Sequence, residues 1–365
     1  MNAAIIFFLL LVLMLTGMPI SISLGLTVLT FLFGFTQVPL ESVALKLFTG
    51  IEKFEIMAIP FFILAGNFLT HGGVARRMIN FAASMVGHWY GGLGLGGVLA
   101  CALFAAVSGS SPATVVAIGS ILLPAMVKAG FPKSFGAGVI TTSGALGILI
   151  PPSIVMVMYS VATNTSVGAL FMAGVVPGLA LAGVLAGVTW YRAKKYDYPR
   201  LPKASWLERL KAFKESAWGL LLIVIVMGGI YTGLFTPTEA AAMSAVYAFF
   251  VAVFVYKDMG LKDVPRVLLN SANMSAMLLY IITNAVLFSF IMTNENIPQS
   301  LADWMLGNGL GPIAFLLAVN VILLLAGNFM EPSSIVLIFA PILFPVAVKL
   351  GIDPVHFGII MVVNM

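Results

Sequence analysis

Ser108-Gly-Ser-Ser-Pro112 and Gly327-Asn-Phe-Met-Glu-Pro332 are the two stretches on which the reading of the fold turns. Each interrupts a long apolar run. The first is followed by an apolar run to Pro124, then Lys128-Ala-Gly130-Phe-Pro132 and Phe135-Gly136. The second is followed by an apolar run to Pro345, then Lys349-Leu-Gly351, Pro354 and Phe357-Gly358. The punctuating residues recur in order at separations of 220 to 222 residues. Such self-similarity marks an internal repeat. Each copy reads as an apolar approach, a polar break, an apolar return and a further span: a helical hairpin dipping partway into a membrane. Pro112 cannot sit in a regular helix interior, because it removes a donor and clashes with the preceding turn. The freed carbonyls and the hydroxyls of Ser108, Ser110 and Ser111 make an oxygen-rich tip. Carbonyl ends of helices suit cations and N-terminal ends suit anions, and a hard monovalent cation such as sodium is the natural ligand. A capped helix kink is the simpler reading of one break; the second, similarly placed, argues against it.

The span after the first hairpin is also interrupted. Thr141-Thr-Ser-Gly144-Ala-Leu-Gly147-Ile-Leu-Ile-Pro151-Pro152-Ser153 carries two glycines and a Pro-Pro pair. Gly144 and Gly147 permit unwinding and the prolines stop a normal helix. An unwound span facing a hairpin tip gives a half-site; a plain loop at Pro151 is the alternative. Glu331 is the acidic residue at a hairpin break, and intramembrane ionisable groups are functional candidates by default. The other reading is an accessible, salt-bridged Glu at a helix end. A cationic partner for a substrate carboxylate is left open among Arg76, Arg77, Lys128 and Lys349, with serine hydroxyls and helix N-termini as the alternative. Glu52 and Glu55 flank Lys53 in a polar connection that reads as solvated. Cys101 reads as a packing residue, and His71, His88 and His356 are too scattered for a dyad or a metal site.

Composition sets the frame for these motifs. The chain has 365 residues, 61% hydrophobic and 8% charged, with mean hydropathy +1.10. Soluble domains carry about a quarter charged residues, so a soluble enzyme is excluded, as is disorder. Continuously apolar runs argue against a β-barrel, which alternates polar and apolar residues. The fold class is an all-α polytopic membrane protein built from inverted repeats, with two re-entrant hairpins and broken helices. Apolar segments fall near 3–17, 18–35, 56–70, 90–108, 112–128, 134–150, 152–163, 166–191, 217–234, 237–256, 272–293, 310–328, 331–349 and 355–365. The net charge is +5, and its distribution matters more than its sign. Up to Lys214, the stretch from Arg192 holds eight of the 18 basic residues and two acids. By the positive-inside rule this connector is cytoplasmic, so the charge reports topology and not a nucleic-acid partner. Residues 1–191 form a first half with the first hairpin, 192–215 the connector, and 216–365 a second half with the second hairpin. Gly73 to Trp89 and Asp258 to Leu269 read as amphipathic helices that brace their neighbours.

The chain closely resembles the large membrane subunit of TRAP (tripartite ATP-independent periplasmic) transporters. The resemblance lies in Gly17-Met-Pro-Ile20, Ile59-Pro-Phe-Phe-Ile-Leu-Ala-Gly66, Gly73-Val-Ala-Arg76-Arg77, Ala105-Ala-Val-Ser-Gly-Ser-Ser-Pro-Ala-Thr114, Gly147-Ile-Leu-Ile-Pro-Pro-Ser153, Thr236-Pro-Thr-Glu239 and Gly351-Ile-Asp-Pro354. It implies an elevator-type secondary transporter in a bacterial or archaeal inner membrane, not an enzyme. Sodium would drive uptake of an organic anion such as a C4-dicarboxylate or sialic acid, with no cofactor beyond that coupling ion. A periplasmic substrate-binding protein would deliver the cargo, and a small four-helix membrane subunit would complete the permease. A stand-alone cation-coupled anion transporter or exchanger is the alternative. Carried over by motif, the sodium-binding candidates are Ser108, Gly109, Ser110, Ser111, Pro112, Gly144, Gly147, Gly327, Asn328 and Met330. The substrate-binding candidates are Ser110, Ser111, Pro152, Ser153 and Glu331, the last at a position where the family often has Asp. By the repeat offset Asn364 corresponds to Thr142, so the partner of Gly144 to Pro152 is expected beyond Met365. The sequence therefore reads as a fragment or a truncated product.

Overall fold

Continuous apolar runs leave the backbone no water to bond, and helices satisfy their own backbone groups. Every regular element of the computed structural model, which describes residues 2–36, 38–328 and 330–365, is accordingly helical. Among the described residues, seven helices are long and apolar enough to cross a membrane, or eight if the broken pair Lys133–Leu149 and Ile154–Thr163 is one span.

Both hairpins are present, and the repeat holds at the level of elements. The return helices Ser111–Lys128 and Pro332–Lys349 each have 18 residues. Pro124 and Pro345 are the fourteenth residue of each. Each ends on a left-handed glycine, Gly130 at φ +94° and Gly351 at φ +77°. The same closing bonds follow: Phe131 N–H to the Met126 carbonyl at 3.0 Å, and Ile352 N–H to the Ala347 carbonyl at 2.9 Å. Only a residue tolerant of positive φ makes this turn without strain.

The chain forms two compact units, each taking residues from both sides of the basic connector. One contains Ala58–Ile154 and Phe171–Ala272, and the other Met1–Met57, Val155–Leu170 and Asn273–Met365. In the first, Val74–Val86 buries Val74, Ala75, Met78, Ile79 and Ala82. That face packs on the approach helix Gly92–Ser108 and on Trp206–Tyr231, so the amphipathic segment is a brace. Arg76 and Arg77 both pair with Asp258, Arg76 at 3.2 Å. The Arg77 guanidinium also lies 3.8 Å from the Tyr256 ring centre, a cation–π stack.

Four segments differ from the sequence reading. The connector is helical at both ends: Val167–Lys195 runs into it, and Trp206–Tyr231 starts inside it at a capping box. There the Ser205 hydroxyl accepts from the Glu208 N–H at 3.2 Å, and the Glu208 carboxylate accepts from the Ser205 N–H at 2.6 Å. The Asp258 to Leu269 segment is not a separate helix, because Val264–Asn294 is one continuous helix of 31 residues. Leu40–Thr49 and Ile297–Gly307 are helices where the sequence reading marked none. Both are too short to span and carry mixed polar residues, so no apolar run betrays them.

The Arg76–Asp258–Arg77 cluster yields a prediction. Asp258→Ala leaves Arg77 partly buried without its anion. The apparent Tm of the detergent-purified protein should fall by about 2 °C or more, read by intrinsic fluorescence, and an unchanged Tm would show the cluster to be dispensable.

Candidate functional site

The first tip is a tight turn. The approach helix ends at Gly109, whose φ of +63° is left-handed, and Ser111–Lys128 begins after a single extended residue, Ser110. The Gly109 N–H donates to the Ala105 carbonyl at 3.0 Å, and the Gly109 carbonyl accepts the Ile154 N–H at 3.1 Å. The Ser110 carbonyl accepts the Thr114 N–H at 3.1 Å and the Thr114 hydroxyl at 2.8 Å. The Ser108 hydroxyl lies 2.9 Å from that of Thr114. The tip backbone is thus held by its own protein. The Ser110 and Ser111 side chains are half-buried, and Pro112 is exposed at the start of the return helix.

The broken span packs directly on this turn. A Cβ at Gly147 would stand 2.7 Å from the Ser110 carbonyl oxygen and 2.9 Å from the Ser111 nitrogen. Only glycine allows that approach. A Cβ at Gly144 would collide with Val115. The helix stops at Gly144, resumes over Leu146–Leu149 and breaks again before Ile154. Pro152 is buried and follows a cis peptide bond. Ser153 is fully buried, and its hydroxyl donates to the Ile148 carbonyl at 2.5 Å. The structure therefore brings Ser108, Gly109, Ser110, Ser111, Gly144, Gly147 and Pro152 together.

Two hydroxyls here were missed by the sequence reading. Thr114 locks the tip as described. Ser143 is fully buried, and its Oγ has no hydrogen-bond partner among the described residues. Its place beside Gly144 in the Thr-Thr-Ser-Gly run was the available signal.

The second tip is longer and more open, and it lies in the other unit. Phe329, at its centre, lies outside the described residues. Gly327 and Asn328 are exposed, and the Asn328 side-chain amide donates to the Leu324 carbonyl at 2.7 Å. The Met330 N–H donates to the Ala326 carbonyl at 2.9 Å. Glu331 is the exposed N-cap of the return helix, and its carboxylate accepts the Ser333 hydroxyl at 2.7 Å. Ser333 and Ser334 behind it are buried. Pro354–Val363 carries Asn364 alongside: a Cβ at Gly327 would stand 4.0 Å from the Asn364 carbonyl oxygen.

The cations left open by sequence do not serve the tips. Arg76 and Arg77 are paired with Asp258, and Lys349 is paired with Asp303 at 2.7 Å. Lys128 and Lys349 also sit at the far ends of the return helices, about 26 Å along the axis from each tip. Lys53 is not simply solvated: its Nζ donates to the Val161 carbonyl and to Asn164 Oδ1. Its partners lie more than 100 residues away, so local sequence could not reveal them.

The paired breaks, the glycine seated on a serine turn and the apolar spans together describe a membrane transport scaffold. The family model of the tripartite ATP-independent periplasmic transporter, DctM component, matches residues 7–365. The chain belongs to this family. It is 76% identical over 379 residues to the C4-dicarboxylate TRAP transporter large permease protein DctM of Rhodobacter capsulatus, covering all of this chain and 86% of that protein. The Pseudomonas aeruginosa protein of the same description is 57% identical, over 94% of this chain and 80% of its own length. The sialic acid TRAP transporter large permease protein SiaM of Vibrio cholerae is 39% identical, over 97% and 83%. The chain is thus the large permease subunit of a TRAP system that transports an organic anion. It is a multi-pass protein of the bacterial inner membrane, and a transporter, not an enzyme.

Within this TRAP permease the Gly147 contact is a backbone-to-backbone constraint on the first tip. Gly147→Ala should lower organic-anion uptake about tenfold, the effect of displacing the tip at a cost near 1.4 kcal/mol. Gly138→Ala, where a Cβ meets nothing within 4 Å, should leave uptake unchanged. Equal uptake by the two variants at equal membrane abundance would refute the contact's importance.

Proposed function

We propose that this TRAP permease carries out sodium-coupled uptake of a C4-dicarboxylate by an elevator movement. It would receive its cargo from a periplasmic binding protein and work in complex with a small four-helix subunit. The connector at 192–215 faces the cytoplasm in this reading, by its excess of basic residues. The seating of the Ser110–Ser111 peptide on Gly147 carries the proposal. It gathers neutral serine hydroxyls at a break in the helices, a donor type suited to a singly charged hard cation.

Ser108, Gly109, Ser110, Ser111, Pro112, Gly144 and Gly147 form the first sodium half-site. Gly327, Asn328 and Met330 contribute to a second. The cargo-binding candidates are Ser110, Ser111, Pro152 and Ser153 beside the first tip and, separately, Glu331 at the second. The 76% and 57% identity to permeases described as C4-dicarboxylate transporters supports that cargo over sialic acid, whose described permease is 39% identical.

Proteoliposomes holding the whole permease, with binding protein added outside, test the coupling. Succinate uptake should need an inward sodium gradient, and equal uptake on a potassium gradient would sink it. Ser110→Ala combined with Glu331→Ala should reduce uptake at least about tenfold, one charge-assisted contact's worth, without lowering membrane abundance. Glu331→Asp should keep most of the activity, since it keeps the carboxylate. A double variant that transports normally would place the site elsewhere.

A further inference from the structure

The unit that carries the second tip also contains a cavity of about 220 Å³. Lys46 and Thr49 reach it from Leu40–Thr49, Lys53 from the following turn, and Ser289 from Val264–Asn294. Leu337 and Pro341 of the return helix form an apolar wall. We propose that this cavity is an outer antechamber for the anionic cargo, in which Lys46 and Lys53 hold a carboxylate before it reaches the Glu331 tip. The inference rests on the transport reading above and adds a binding site to it.

Charge and hydrogen bonding carry the argument. An ammonium has three donors, and Lys53 spends two of them on the Val161 carbonyl and Asn164 Oδ1. Both acceptors are neutral. Among the described residues the acid–base pairs are those of Arg76, Arg77 and Lys349, and neither cavity lysine takes part in one. Burial holds the Lys53 ammonium below its ordinary lysine range, and only the nearby Glu55 offsets this. An incoming anion would add to the partial countercharge that Glu55 supplies. Lys46 stands 5.5 Å from the Phe290 ring centre, which positions it without neutralising it. Ser289 adds a hydroxyl at the same wall, while the Thr49 hydroxyl donates to the Leu45 carbonyl at 2.9 Å.

Size and position select the occupant. Pockets for drug-sized ligands hold about 300–1,000 Å³, so this one suits a compact diacid better than a nine-carbon sugar acid. Val161 and Ala162 line it, just before the start of Val167–Lys195, which ends in the basic connector. With the connector cytoplasmic, the opposite end of that helix and the cavity beside it lie on the periplasmic side. Leu337 and Pro341 lie about 9 to 15 Å along the return helix from Glu331. A carboxylate held here is on the route between the outer face and the second tip. The phosphate of an anionic lipid offers the same chemistry, because Leu45 and Phe48 are exposed beside Lys46.

The test uses the whole permease, with its small subunit, in nanodiscs of neutral lipid, and succinate as the probe. Succinate at a few times its Kd should slow acylation of Lys46 by an amine-reactive reagent at least about threefold, read by mass spectrometry. No protection overturns the antechamber. Acylation that slows only when anionic lipid is added, with or without succinate, assigns the cavity to lipid phosphate and overturns it too. In uptake assays Lys46→Gln and Lys53→Gln should each raise half-saturating succinate about tenfold with little change in maximal rate, and Lys46→Arg should restore it. Unchanged half-saturation counts against the proposal. Protection without any sodium-driven uptake by the wild type would leave the antechamber standing and reject the transport reading instead.

Discussion

The structure depends on one constraint: a backbone that leaves its helix inside a membrane must find other partners for its N–H and C=O groups. At the first tip the protein meets this demand almost wholly from within. The Gly109 carbonyl is taken by Ile154, and the Ser110 carbonyl by Thr114 twice over. The Ser108 and Thr114 hydroxyls hold each other. This frees the turn from water and leaves side-chain oxygens as the groups still able to take a ligand. The fully buried Ser143 hydroxyl, partnerless among the described residues, is such a group. A close-packed neighbour is then required to hold the turn, and Gly147 supplies it by having no Cβ.

The same constraint explains what could be read from sequence. Hairpins must be broken by residues that cannot stay helical, so Pro112, Gly109, Gly327 and Pro332 were visible as interruptions of apolar runs. The repeat was visible because both return helices use the same proline and the same left-handed glycine to end. Elements that do not cross the membrane carry no such obligation. Leu40–Thr49 and Ile297–Gly307 mix charges with apolar residues and left no run to detect. The connector looked like a loop because its charges hid an N-terminal capping box at Ser205 and Glu208. Thr114 falls inside a sequence motif, yet its role depends on the turn geometry that aims it back at Ser108 and Ser110. Lys53 looked solvated between two acids, and both acids are indeed exposed. Only the fold brings Val161 and Asn164 to its ammonium.

The two tips answer the constraint differently, and the difference bears on coupling. The first is a turn of neutral oxygens closed by protein. The second is a longer break with an exposed carboxylate at the N-terminus of its return helix. That carboxylate sits well electrostatically, because a helix N-terminus carries partial positive charge, and Ser333 donates to it. An anionic cargo beside Glu331 would nevertheless meet like charge. Under the proposed mechanism a cation held between them turns that repulsion into attraction. Cargo affinity then depends on the cation being present, and by linkage the cation binds more tightly when cargo is present. Under that mechanism a neutral residue at this place would weaken the cation site and, through it, cargo binding. Within the proposed mechanism Glu331 acts on the cargo through the cation they share.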